Sequence, residues 1–167
     1  RGFKPRGSCK IYCRKGKGNG EERMKMIAFC DKVGGYSFNN REIIFDKKLI
    51  QKMLEDITAD ERLCFAVKSK LFFTILDIKP NQKTKIIVSK SDQLEKDDAF
   101  LIDLTEDYKR YIEDCSDVIL YCVDQKLPSD KRVVLPSNKF CFYEEEVVED
   151  HNFDCVVKKL VFKREEN

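Results

Sequence analysis

The sequence predicts a strand-rich, all-β protein with short helices, arranged as two small β-barrels in tandem. Short apolar stretches alternate with polar residues at the period of two that is typical of half-buried strands. Turn-forming residues separate these stretches at short intervals. The order strand, short helix, strand recurs in the second half of the chain, which indicates an internal repeat.

The first predicted barrel covers residues 23–80. Strands are expected at residues 24–30, 36–38, 42–45, 63–67 and 71–78. Gly34 and Gly35 supply the positive φ that a tight turn needs, and Asn39 and Asn40 belong to the next turn. Residues 47–55 are predicted to form about two helical turns. The apolar residues expected on one side of this helix are Leu49, Ile50, Met53 and Leu54.

This stretch resembles a cold-shock domain, which is a five-stranded barrel of the OB type. In that family an aromatic-rich Gly-Phe/Tyr-Gly-Phe segment is followed by an acidic residue and a β-branched or aromatic run. Residues 35–38 (Gly-Tyr-Ser-Phe) are similar to the first motif, residues 42–46 (Glu-Ile-Ile-Phe-Asp) to the second, and residues 60–67 to the family's fourth strand.

The resemblance departs from the family on the face that binds nucleic acid. Where the family has an aromatic residue, a histidine and a second aromatic residue, this chain has Ile44, Asp46 and Lys47. A ring that stacks on a base contributes about 1–3 kcal/mol to the free energy of binding. Both of these aromatic residues of the family are replaced in this chain. The resemblance therefore implies weak binding of single-stranded RNA.

The second predicted barrel covers residues 81–167, after a boundary at residues 80–82. Strands are expected at residues 83–89, 99–103, 117–126, 133–136, 139–143 and 152–162, and a short helix is expected at residues 106–112. The acidic residues at 144–146 and 149–150 are predicted to form an edge or a loop. A bulge is expected at Lys158 and Lys159, where the alternation slips. Divergent tandem barrels of this kind resemble the amino-terminal regions of Armitage-type RNA-silencing helicases.

Charge restricts where nucleic acid would bind. The 32 basic and 30 acidic side chains leave a net charge of +2, so binding is expected at a local patch rather than over the whole surface. Residues 1–22 form a basic arm, which either neutralises phosphates or is a solvated tail. On an OB-type barrel the surface that binds nucleic acid is the face of the second and third strands. The candidate nucleic-acid-binding residues are Tyr36, Phe38, Arg41, Lys47, Lys48, Lys25 and Lys32. Tyr36 and Phe38 have the alternative of packing in the core.

The sequence does not predict an enzyme, a cofactor or a metal site. His151 is the only histidine and lies in an acidic stretch, and no close second pair joins Cys9 and Cys13 to complete a zinc site. Eight cysteines fit reduced thiols in a cytoplasmic protein, with a secreted protein carrying four disulfides as the alternative. No apolar run has the length of a membrane span, so no membrane partner is expected.

Two functions remain open. The first is a non-catalytic module that binds single-stranded RNA weakly, within a larger RNA-processing or RNA-silencing protein. The second is a protein-protein interaction scaffold in which exposed strands take up strands of a partner, without binding nucleic acid. The sequence leaves the oligomeric state open.

Overall fold

The computed structural model describes residues 24–42, 46–57, 62–65, 71–78, 85–88, 98–101, 108–148 and 155–165. The elements, in chain order, are β1 (Met24–Cys30), β2 (Gly35–Phe38), β3 (Arg41–Glu42), α1 (Lys47–Asp56), β4 (Arg62–Phe65), α2 (Leu71–Ile78), β5 (Lys85–Val88), β6 (Asp98–Leu101), the 3₁₀ helices Tyr108–Arg110 and Ile112–Asp114, β7 (Cys115–Val123), β8 (Lys131–Arg132), β9 (Phe140–Val148) and β10 (Val157–Arg164).

The strands form a large sheet and a small one. The large, seven-stranded sheet has the order β5-β4-β6-β1-β7-β10-β9, and the small, three-stranded sheet has the order β3-β2-β8. Within the large sheet β5, β4, β6, β1 and β7 pair in parallel, whereas β10 runs antiparallel to both β7 and β9. Parallel neighbours need a crossover connection. The helix α2 lies in the connection between the parallel neighbours β4 and β5, and α1 lies in the connection from β1 to β4, between which β6 is inserted.

The predicted strand-rich fold with few short helices is confirmed for the described residues, but the two barrels are not. No closed barrel is found among the ranges that the structure describes. Instead β1 and β4, from the first predicted barrel, pair with β6, from the second. The predicted boundary at residues 80–82 therefore separates strands of one sheet. An alternating pattern indicates which face of a strand is buried but does not indicate its partner, so the same residues are compatible with either arrangement.

Several predicted elements are confirmed. The strand at Met24–Cys30 forms as expected, and the predicted helix is α1, with all four of its predicted apolar residues buried. The Asp46 carboxylate accepts a hydrogen bond from the Lys48 N–H and so caps α1. The turn residues Gly34, Asn39 and Asn40 have φ values of 89°, 49° and 57°, whereas Gly35 is the first residue of β2 and its φ is not positive.

Other predicted elements are wrong. Residues 71–78 form α2 and not a strand, because a short, nearly continuous apolar run fits a buried helix as well as a buried strand. The strand expected at residues 133–136 is replaced by β8, which lies immediately before it. The bulge lies in β9 at Tyr143, between the partners of Val161 and Phe162, and not at the predicted position in β10.

Apolar side chains pack on both faces of the large sheet. On one face Ile27 and Phe29 of β1 belong to the same core cluster as the buried side of α1, and on the other Met26 and Cys30 belong to a second cluster that includes Tyr36. Alternate residues of β1 thus enter different cores, as the period of two requires. Both faces of β1 are therefore covered. Within the part of the chain that the structure describes, no helix is long and apolar enough to span a bilayer.

Candidate interaction surfaces

The aromatic platform predicted on the second strand is only partly exposed. Tyr36 is 8% exposed, and its ring packs edge to face against Tyr108 with the ring centroids 6.4 Å apart. A ring in this position cannot stack on a base unless the small sheet moves away from the large one. Tyr36 is therefore a core residue, and the stacking role predicted for it is not supported by its placement.

Phe38 and Arg41 do lie together on the surface. They face each other across the antiparallel pair β2 and β3, and Phe38 is 45% exposed. On the other side of β2, the strand β8 carries Lys131 and the exposed Arg132. We call Phe38, Arg41, Lys131 and Arg132 the hairpin patch. It retains one of the two predicted aromatic residues and one of the predicted cations.

A carboxylate holds the turn of this hairpin. Asp130 accepts hydrogen bonds from the Asn39 N–H at 3.0 Å and from the Ser37 hydroxyl at 3.1 Å. The Asn39 bond is the main reason that the pKa of Asp130 lies below its usual range. A carboxylate that remains charged at neutral pH therefore lies next to the hairpin patch, and its charge weakens the attraction of the patch for phosphate.

The predicted lysines lie outside the hairpin patch. Lys47 and Lys48 are in the first turn of α1, and Lys47 forms an ion pair with Asp77 of α2 at 2.7 Å, which lowers the pKa of that carboxyl. Lys25 lies in β1, an interior strand of the large sheet, and is partly buried. Lys32 follows β1, with its Nζ 3.9 Å from Asp124. The predicted cations are therefore divided among different elements, and the structure does not gather them into one groove.

Buried polar groups of the described residues have structural partners. The Asp31 carboxylate, which is fully buried, accepts backbone N–H bonds from Val33, Gly35 and Leu127. It joins the loops that follow β1 and β7, and its oxygens are already occupied. A carboxylate in this state is a structural acceptor rather than a poised general base.

A partly buried polar contact attaches α1 to the large sheet. The Tyr121 hydroxyl donates to Asp56 at 3.0 Å, and the Lys159 ammonium donates to the same carboxylate oxygen at 2.7 Å. Burial, followed by the charge of Asp56, raises the pKa of Tyr121. Because the tyrosine stays protonated and the carboxylate is paired, this cluster fixes the end of α1.

The described cysteines do not form disulfides, and no described group of three His, Cys, Asp or Glu side chains has the geometry to hold a metal ion. Cys30 and Cys122 are neighbours on β1 and β7, with 3.2 Å between their sulfur atoms. Their hydrogen bond, with burial, raises the pKa of the Cys30 thiol. Cys9 and Cys13, for which the sequence supplies no second pair of zinc ligands, lie outside the described residues, as does His151.

The second surface is β9, the last strand of the large sheet. Among the described residues it pairs only on its inner side, with β10. The strand has nine residues, and Phe142, Tyr143 and Val147 are exposed, Val147 by 65%. Between the apolar residues lies the acidic run 144–146, which is exposed throughout. The predicted acidic edge is thus confirmed for these three residues.

Basic side chains of β10 and of α1 already form ion pairs with β9. Lys158 of β10 lies 3.0 Å from Glu145, and Lys52 of α1 lies 2.9 Å from Glu146. These hydrogen bonds raise the pKa of both ammonium groups. Lys163 lies over the ring of Tyr143, 3.9 Å from its centroid.

The sequence alone did not single out β9 as a candidate surface, because its place at the edge of the large sheet follows only from the order of the strands. The signal in the sequence was the acidic run flanked by apolar residues, which favours a strand that cannot be buried on both sides.

Comparison of the chain with protein-family models and with curated proteins gives no match.

Proposed function

We propose that this chain is a non-catalytic protein-binding module that takes up an extended segment of a partner protein along β9. The observation that carries the proposal is the nine-residue edge strand with exposed apolar side chains. An edge strand presents a row of backbone N–H and C=O groups that a further strand can satisfy. The proposal requires a sheet edge and not a closed barrel, so the predicted pair of barrels is not part of it.

The side chains of β9 supply the selectivity that backbone pairing alone does not give. Phe142 and Val147 offer apolar contacts on either side of the acidic run. Main-chain hydrogen bonds between β9 and the docked segment would give the affinity. The bulge at Tyr143 interrupts the regular ladder, which is a common way to limit uncontrolled pairing at an edge. We infer that docking is selective for a segment that fits these side chains.

Two equally exposed valines provide a matched test. Val147 on β9 and Val134 in the loop after β8 are both 65% exposed. A library of displayed extended peptides is selected against the full chain, and the affinity of the recovered peptides is measured by fluorescence anisotropy. We expect Val147→Lys to weaken their binding and Val134→Lys to leave it unchanged. Equal effects of the two substitutions, or recovery of no peptide, would contradict the proposal.

A second candidate function is weak binding of single-stranded RNA at the hairpin patch, within a larger RNA-processing protein. The observation that favours it is the exposed ring of Phe38 beside Arg41. Labelled single-stranded RNA is titrated with the chain at low and high salt, with Phe38→Ala and Phe142→Ala as matched variants. This function requires salt-sensitive binding that Phe38→Ala weakens and Phe142→Ala does not. Absence of binding at low salt excludes it.

A further inference from the structure

We infer that the segment which docks on β9 is basic, with Lys or Arg at every second residue and β-branched or aromatic residues between them. The inference rests on the proposed function and specifies the chemistry of the partner.

The inner neighbour of β9 indicates which side chains suit this strand. In the register of β9 and β10, Glu146 faces Lys159 and Val147 faces Lys158, and Lys158 also forms the ion pair with Glu145. Opposite charges on paired strands stabilise a sheet. An outer strand would lie beside the same β9 side chains, so the same chemistry favours cations there.

Within the described residues, one carboxylate of the acidic run has no cation beside it. Glu144 is exposed and faces Val161 of β10, and its carboxylate forms no ion pair or hydrogen bond with any residue in the described ranges. Glu144 and Glu146 are two residues apart and share one face of β9. A strand that places two cations, also two residues apart, opposite them would pair Glu144 and add a second cation beside Glu146, which already pairs with Lys52.

The other face of β9 calls for apolar residues in the partner. Val147 and Glu145 alternate with the glutamates of the first face, and Phe142, opposite Phe162, lies on the same side of the sheet. Residues between the cations of the partner would therefore meet Val147 and Phe142. This is the reason for an alternating segment rather than a run of lysines.

A second copy of this chain fits β9 poorly. If β9 paired antiparallel with itself about Glu145, Glu144 would face Glu146 of the other copy and the two Glu145 side chains would face each other. Like charges directly opposite are destabilising. The acidic run thus opposes self-pairing in this register while it attracts a basic strand.

The test uses two labelled decapeptides, one alternating Lys and Val and one alternating Glu and Val, titrated by anisotropy into the full chain at low and high salt. We expect the Lys-Val peptide to bind about tenfold more tightly than the Glu-Val peptide at low salt, with the difference reduced at high salt. Glu144→Lys should weaken the binding of the Lys-Val peptide about fivefold, and Glu144→Gln by less. Glu55→Lys, an equal charge change on the exposed side of α1, should have little effect.

The outcomes separate this inference from the function on which it rests. If both peptides bind equally and Val147→Lys weakens both, strand docking stands and the preference for a basic segment is overturned. If neither peptide binds, both are overturned. Sedimentation velocity is run on the same samples, and a dimer that Val147→Lys dissociates would identify a second copy as the occupant and overturn the inference.

Discussion

The ion pair between Arg62 and Asp98 provides the sharpest test of the fold. Arg62 lies on β4 and Asp98 on β6, directly opposite each other, and their two hydrogen bonds are 2.6 and 2.7 Å long. Asp98 is fully buried, and the Arg62 side chain is 25% exposed. The pair joins a strand from the first predicted barrel to a strand from the second, so it exists only if both belong to one sheet.

Removal of the guanidinium takes the Arg62 cation away from the buried Asp98 carboxylate. Breaking a buried pair in this way costs about 3–5 kcal/mol. Because Arg62 is a quarter exposed, water partly compensates, and we expect Arg62→Met to lower the free energy of unfolding by about 3 kcal/mol. Because the free energy of unfolding falls by about 2 kcal/mol per M urea, the urea concentration at the midpoint of unfolding should fall by about 1.5 M.

The control is Lys139→Met, which removes a surface ion pair to Glu113 and should change the midpoint far less. The variant Arg62→Met with Asp98→Asn should be more stable than Arg62→Met alone, because the buried charge that Arg62 balanced is gone. Urea unfolding is followed by circular dichroism. A midpoint shift no larger than that of the control, or two separate unfolding transitions, would refute the single sheet.

Three further predictions concern titratable groups. Tyr121→Phe removes the hydrogen bond to Asp56 and should lower the free energy of unfolding by about 1–2 kcal/mol in urea. Because the folded pKa of Tyr121 is raised, its contribution is complete below about pH 10 and is lost at higher pH, so the variant should be less sensitive to alkali in thermal melts. At pH 8 iodoacetamide should label the partly exposed Cys155 before Cys30, whose pKa is raised by its hydrogen bond and burial; peptide mapping by mass spectrometry checks the order. The folded pKa of Asp130 is lowered, so its contribution is present above about pH 4 and is lost as the pH falls further; the Asn39 amide in NMR spectra should report a midpoint below that value.

Each of these has a clear contrary result. An alkaline profile of Tyr121→Phe that matches the wild type would show that the hydroxyl does not titrate with folding. Labelling of Cys30 as fast as Cys155 would contradict its burial. A midpoint for the Asn39 amide at or above about pH 4 would mean that the turn bond to Asp130 is absent in solution.

The local elements of the fold could be predicted because their causes are local. The helix α1 follows from the spacing of Leu49 and Met53 and from the cap at Asp46, and the turn at Asn39 follows from its tolerance of positive φ. The pairing of strands could not be predicted in this way. β1 pairs with strands whose residues follow it by about 70 to 90 positions, for example Ile27 with Leu101 and Ile119, and a pattern within one strand carries no information about such partners.

In the candidate surfaces, too, some features could be predicted from the sequence and others could not. Tyr36 and Phe38 both fit a half-buried strand, and only the packing against Tyr108 decides that the first is buried. The exposure of the acidic run could be predicted, because unpaired carboxylates are costly to bury. Its position at the edge of the large sheet depends on the order of all seven strands.

The measurement that tests strand docking most directly is amide hydrogen exchange of the full chain with and without the alternating Lys-Val peptide. An added strand should slow exchange in Phe140–Val148, because edge amides that faced water would become hydrogen-bonded. Exchange in the hairpin formed by Gly35–Phe38 and Arg41–Glu42 should stay unchanged. Unchanged exchange in β9 under saturating peptide, or slowing confined to another element, would contradict docking at this edge.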